Sequence, residues 1–202
     1  MPEYTVVAGP NGAGKSTFSK ILSEDDAIIF DADKVKAVKE QQYPDIPTES
    51  IETMITTEYW NAEDKAIETN QDLTVESNRR NDFLINRVEF FKRRGYTTNL
   101  IYMLLPDIET STERVGLRVA KKGHYIDPES IALNFLLGLE MLKQHFHKFD
   151  NLMLVDGSKA KKSSLPHLLL TINNHQLSYI NPISPSWAKP LIDEIILKIN
   201  SN

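Results

Sequence analysis

Cysteine is absent from all 202 residues. That excludes a disulfide scaffold and any thiolate metal site, and it fits a reducing compartment. No apolar run approaches the ~20 residues that a membrane-spanning helix needs. Met1-Pro2-Glu3 lacks the basic flank and apolar stretch of a secretory signal, so the cytoplasm is the expected location and no membrane partner is expected. Positive charge is in deficit: 23 basic against 28 acidic side chains give a net charge of −5, which argues against a broad nucleic-acid footprint. Internal repeats, low-complexity segments and an Asn-Lys-x-Asp guanine signature are all missing. Five histidines are present, but His145 and His147 are two apart and do not share a helical face, so no metal cluster is indicated. With 41% hydrophobic and 25% charged residues, the chain is long enough for one α/β domain with a buried core.

The most informative stretch begins with a short apolar strand, Tyr4 to Ala8. Gly9 to Ser16 then fit G-x-x-x-x-G-K-[ST], the phosphate-binding loop, and a helix runs from about Lys15 to Leu22. Gly9, Gly12 and Gly14 admit backbone approaches that a Cβ would block. The loop's N–H groups thereby form an anion cradle at a helix N-terminus. Lys15 is placed to reach the β- and γ-phosphates, and the Ser16 hydroxyl to bind Mg²⁺. An ordinary glycine turn would need neither the strand before nor the helix after, and both are present.

Strands and helices alternate through the rest of the chain. Strands are expected at 27–30, 73–75, 97–105 and 151–155. Helices are expected after Asp33 to about Gln42, from Thr48 to about Asn70, at about Asp82–Arg94, at Asp107–Lys122 and from Asp127 to about Lys148. Ile51, Ile55, Tyr59, Ala62 and Ala66 share one face of the long helix, and Ile131, Phe135, Leu139, Leu142 and Phe146 form another buried stripe. Leu168–Ile172 and Leu177–Ile180 flank Asn173-Asn174-His175-Gln176, a β-hairpin with a four-residue loop, and a helix from Trp187 to about Ile199 follows. The expected fold class is α/β: a phosphate-loop three-layer α/β/α domain spanning residues 1–202 with a mostly parallel sheet. A break at 123–128 resembles a lid, and the hairpin and helix at 163–202 form an appendage.

In open α/β sheets the ligand lies beyond the carboxyl ends of the strands. Asp31 and Asp33, Glu76 and Asp156 are expected there. Asp33 can be a helix N-cap, or a carboxylate facing the loop that takes a proton from a substrate hydroxyl or holds Mg²⁺ through water. Glu76 heads a polar run with no packing need for a carboxylate. Asp156 fits a loop near the adenine better than a metal ligand. Arg114, Arg118 and Lys121 line up at helical spacing, either as a solvated face or as a lid that neutralises the transferring phosphoryl group.

Together these pieces resemble the zeta-toxin family of phosphate-loop kinases, in its short chromosomal form. The resemblance is carried, in family order, by Ala8 to Thr17, Asp31-Ala32-Asp33, Thr74-Val75-Glu76-Ser77, Glu113-Arg114-Val115 through Arg118-Val119-Ala120, Gly123-His124, Asp127-Pro128-Glu129 and Val155-Asp156-Gly157-Ser158. It implies transfer of phosphate from ATP or GTP, with Mg²⁺, to the 3′-hydroxyl of UDP-N-acetylglucosamine, and an antitoxin protein as a partner. Lys15 would be the phosphate clamp, Asp33 the general base and Arg114 the transition-state arginine. Gly9, Pro10, Asn11, Gly12, Ala13, Gly14, Lys15, Ser16 and Thr17, with Arg118, would hold the nucleotide, and Ser16 the metal. Asp31, Glu76, Asn78 and Arg80 would hold the acceptor. The chain departs from the pattern at Asn134, Phe135 and Leu137, where relatives carry arginines and a tyrosine. Other acceptors (a nucleoside monophosphate, a sugar acid, an antibiotic or a polynucleotide 5′ end) and a nucleotide switch without transfer activity are the alternatives.

Overall fold

The computed structural model describes residues 1–23, 26–78, 83–120, 125–159 and 167–200. Arg80, Lys121, Gly123 and His124, singled out above, lie outside them.

Five strands whose apolar residues alternate between two covered faces form the parallel part of the sheet: β1 (Glu3–Ala8), β2 (Ile28–Asp31), β3 (Leu73–Ser77), β4 (Thr97–Leu104) and β5 (Asn151–Asp156). β6 (His167–Asn173) adds antiparallel to β5, and β7 (Gln176–Ile180) antiparallel to β6, giving the order β2-β3-β1-β4-β5-β6-β7. The expected three-layer α/β class is therefore the observed one. The terminal hairpin, expected as an appendage, continues the sheet, because Leu169, Leu170 and Ile172 are as buried as the central strands. Its loop is also tighter than expected. Asn174 and His175 alone make the turn, at φ 48° and 62°, the left-handed pair that a two-residue hairpin needs.

The helices are α1 (Lys15–Leu22), α2 (Ala32–Gln42), α3 (Thr48–Thr69), α4 (Phe83–Lys92), α5 (Ile108–Val119), α6 (Pro128–His145) and α7 (Lys189–Asn200). Val6, Ala8, Leu100, Tyr102 and Leu154 face one core with α3, α4, α7 and the end of α6. Val7, Ile101, Met103 and Val155 face the other with Phe18 of α1 and Phe135 of α6. This odd–even division is the period of two that a sheet covered on both faces requires. Among the described residues no helix is long and apolar enough to cross a membrane.

One buried pair escaped the periodicity. Glu63 is 2% exposed on the inward face of α3, one turn beyond Tyr59, whose hydroxyl donates to it at 3.0 Å. Arg87 of α4 donates its Nε to the same carboxylate at 2.9 Å, and its guanidinium also covers the Phe90 ring. Arg87→Met would strand the carboxylate in the core and is expected to cost about 3 kcal/mol, read as a lower urea midpoint.

Candidate active site

The parallel register brings the acidic residues together before any helix is considered. Asp31 stands opposite Glu76, and Ala8, the last residue before the loop, stands opposite Ser77. The strands therefore end in line, and everything chemical projects from their carboxyl edge. A cavity of about 520 Å³ opens there, lined by the loop, the start of α2, the end of β3 and two arginines of α5.

The loop has the strained shape that its glycines permit. Gly9 has φ +143°, and a Cβ there would lie 2.4 Å from the Met103 carbonyl oxygen. Gly12 has φ +78°, and a Cβ there would lie 2.8 Å from the Cβ of Arg114. Lys15 bends back over the loop and donates to the carbonyls of Gly9 (2.9 Å) and Pro10 (3.1 Å) and to Asn78 Oδ1 (2.9 Å). Burial holds its ammonium below the usual lysine value, with the carboxylates of Asp33, Glu76 and Asp31 opposing that shift.

Ser16 and Ser19 lie three residues apart on α1 and share the face turned to β3. Ser16 Oγ donates to Glu76 Oε2 at 2.5 Å and approaches Asp31 Oδ2 at 3.2 Å, while Ser19 Oγ donates to Glu76 Oε1 at 2.6 Å. Lys34 Nζ completes the cluster, 2.5 Å from Asp31 Oδ2 and 3.6 Å from Glu76 Oε1. Burial disfavours ionisation of Asp31, but the Lys34 ammonium, its backbone N–H and the Ser16 hydroxyl outweigh it and hold the carboxyl below its usual value. For Lys34, burial works against the charged form and Asp31 and Glu76 more than restore it, so its value is raised.

The expected residues sit as follows on this geometry. Asp31, not Asp33, is the N-cap of α2, accepting from the Lys34 N–H at 3.2 Å. Asp33 is thereby free of capping, on the first turn of α2 and lining the cavity. Glu76, expected at the acceptor, is 5% exposed, and both its oxygens accept from α1 hydroxyls. Asn78 is a partner of Lys15. Arg114 and Arg118 both line the cavity. Arg114 Nη1 donates to the carbonyls of Gly157 (2.6 Å) and Gly12 (3.3 Å), and its Nη2 donates to that of Ser158. It thus ties the loop to the turn after β5. Asp156 is buried and accepts from the Ser158 N–H and hydroxyl, which shapes that same turn.

Ser19, Lys34 and Ser111 were not anticipated. The Ser16-x-x-Ser19 spacing was a readable signal for the first. Lys34 and Ser111 depend on a register and a packing that no local pattern encodes.

A zeta-toxin family profile matches residues 1–163, and the chain belongs to that family. It is accordingly a kinase-type phosphotransferase of the phosphate-loop class, which agrees with the loop and cavity just described. Solved structures agree in fold. A chain from the PezAT chromosomal toxin–antitoxin system of Streptococcus pneumoniae superposes with a TM-score of 0.53 at 13% identity, covering 100% of this chain and 85% of its own. AvrRxo1-ORF1:ORF2 with ATP superposes at 0.67 with 10% identity, covering 96% and 64%. A chain of the Pnkp1/Rnl/Hen1 RNA repair complex superposes at 0.57 with 20% identity, covering 74% and 46%. No curated protein matches the chain in sequence.

Gly9→Ala places a methyl group against a backbone carbonyl that cannot yield. It is expected to lower the thermal midpoint by several degrees, in line with about 1–3 kcal/mol of strain, and to weaken nucleotide binding measured by calorimetry.

Proposed function

We propose that the chain transfers the γ-phosphate of ATP or GTP to a hydroxyl of a small molecule, with a UDP-sugar such as UDP-N-acetylglucosamine as the acceptor. One observation carries the reading: an anion cradle, a hydroxyl gripped by two carboxylates and the Asp33 carboxylate converge on one cavity. The ATP in the AvrRxo1-ORF1:ORF2 structure supports a nucleoside triphosphate as donor. That pairing and the PezAT system support a protein antitoxin as partner, and a cytoplasmic site of action accords with the missing cysteines.

The donor set suits Mg²⁺. Ser16 Oγ, beside the Asp31 carboxylate at 3.2 Å, is an oxygen donor of the kind a hard cation prefers, and Ser16 would hold it, with Glu76 orienting the hydroxyl from behind. Bound there, the ion would supply positive charge that offsets the negative charge of the triphosphate. The protein does the rest by positioning. Loop amides and Lys15 hold the terminal phosphates, and the guanidinium groups on the α5 wall add positive charge where charge spreads over the equatorial oxygens. Asp33 accepts the proton of the acceptor hydroxyl as that oxygen attacks phosphorus in line and the bond to the departing diphosphate breaks.

The test follows mass change on UDP-sugars incubated with the enzyme, ATP and Mg²⁺. Lys15→Ala is expected to lower turnover by about 10²-fold or more. Asp33→Asn is expected to retain ATP affinity and lose transfer by about 10²–10⁴-fold. Unchanged turnover in both variants would overturn the assignment.

A further inference from the structure

We propose that Ser111 and Asn134 are positioning residues that hold the phosphate loop in its binding shape through Asn11. They make nucleotide binding and the placement of α5 and α6 a single equilibrium. The proposal rests on the reading that the loop binds a nucleoside triphosphate.

Asn11 lies at the apex of the loop yet is only 1% exposed. Two helices hold it. Ser111 of α5, fully buried, donates Oγ to the Asn11 carbonyl at 2.6 Å. Asn134 of α6, 4% exposed, donates Nδ2 to Asn11 Oδ1, also at 2.6 Å. These contacts span 100 and 123 residues, so they are long-range ties rather than turn chemistry. The two helices are those on either side of the segment at 121–127, and α5 also carries Arg114 and Arg118 on the cavity wall.

Asn134 is costly where it stands. It interrupts a stripe of Ile131, Phe135 and Leu142, where a leucine would pack. Its Oδ1 is buried with no hydrogen-bond partner among the described residues. A buried amide with one side unsatisfied calls for an explanation, and here the only described service of the group is the bond to Asn11.

The same face of α6 reaches the far wall of the cavity one turn later. A Cβ on Gly138 would lie 2.8 Å from Tyr102 Oη and 3.1 Å from the Asn78 carbonyl. Asn78 is the side chain that holds Lys15. One helix face therefore lies close against both the loop apex and the partner of its lysine.

The experiment measures Mg·ATP affinity by calorimetry on the full chain, with thermal unfolding and hydrogen exchange on the same samples. Ser111→Ala and Asn134→Leu are each expected to raise the Kd about tenfold, since a buried acceptor on Asn11 loses its donor. Asn134→Leu removes the orphaned oxygen and fills the stripe, so its nucleotide-free midpoint is expected within about 3 °C of wild type. ATP is expected to slow amide exchange in the first turns of α6 in the wild type and to do so less in Asn134→Leu. Wild-type Kd in the variants overturns the proposal, and so does a lowered midpoint without a change in Kd, the mark of a purely structural role. Should Asn134→Leu fail to fold, Ser111→Ala alone decides by the same criteria. A wild-type protein that binds no nucleotide overturns the kinase reading together with this one, whereas binding that both variants share overturns this one only.

Discussion

The site depends on a carboxylate buried where the sheet meets the phosphate loop. Glu76 loses nearly all its water at the end of β3, and such a charge persists only when its oxygens are filled. Two hydroxyls of α1 fill them, at 2.5 and 2.6 Å, and the Lys34 ammonium stands beyond. These are short, charge-assisted bonds, stronger than neutral ones. They fix the first turn of α1 against β3, and with it the glycine turn that leads into the helix. The geometry suited to triphosphate is thus set by satisfying one buried charge.

A second constraint acts from the other side of the loop. Arg114 joins Gly12 to the turn after β5, while Ser111 and Asn134 hold Asn11. The loop is gripped on its inner face by β3 and on its outer face by α5 and α6. A loop of glycines has high intrinsic freedom, and ties of this kind remove it before a ligand arrives. Preorganised donors stabilise developing charge because no reorganisation is needed when it forms.

Much of this was legible in the sequence. The strand–loop–helix unit from Tyr4 to Leu22, the class of the fold and the clustering of Asp31, Asp33 and Glu76 at the strand ends follow from local patterns of apolar residues and glycines. The roles within the cluster did not. Which aspartate caps α2 depends on where the helix begins, a matter of one or two residues. Whether Glu76 faces the acceptor or α1 depends on the β2–β3–β1 register, which brings residues 31, 76 and 16 together across long stretches of chain. The contact of Asn134 with Asn11, 123 residues away, left no local pattern. The hairpin itself was legible, but not that it extends the sheet beyond β5, because short apolar strands give no sign of which edge they join.

The most direct measurement is the thermal midpoint of the full chain with and without ATP and Mg²⁺. Ligands that bind only the folded form must raise it. At about a hundredfold excess over Kd the gain is about 2.7 kcal/mol, or roughly 5–10 °C for a domain of this size. The account predicts such a rise with ATP and Mg²⁺ together and a smaller one when the metal is chelated. A midpoint that no nucleoside triphosphate moves, with or without the metal, would contradict it.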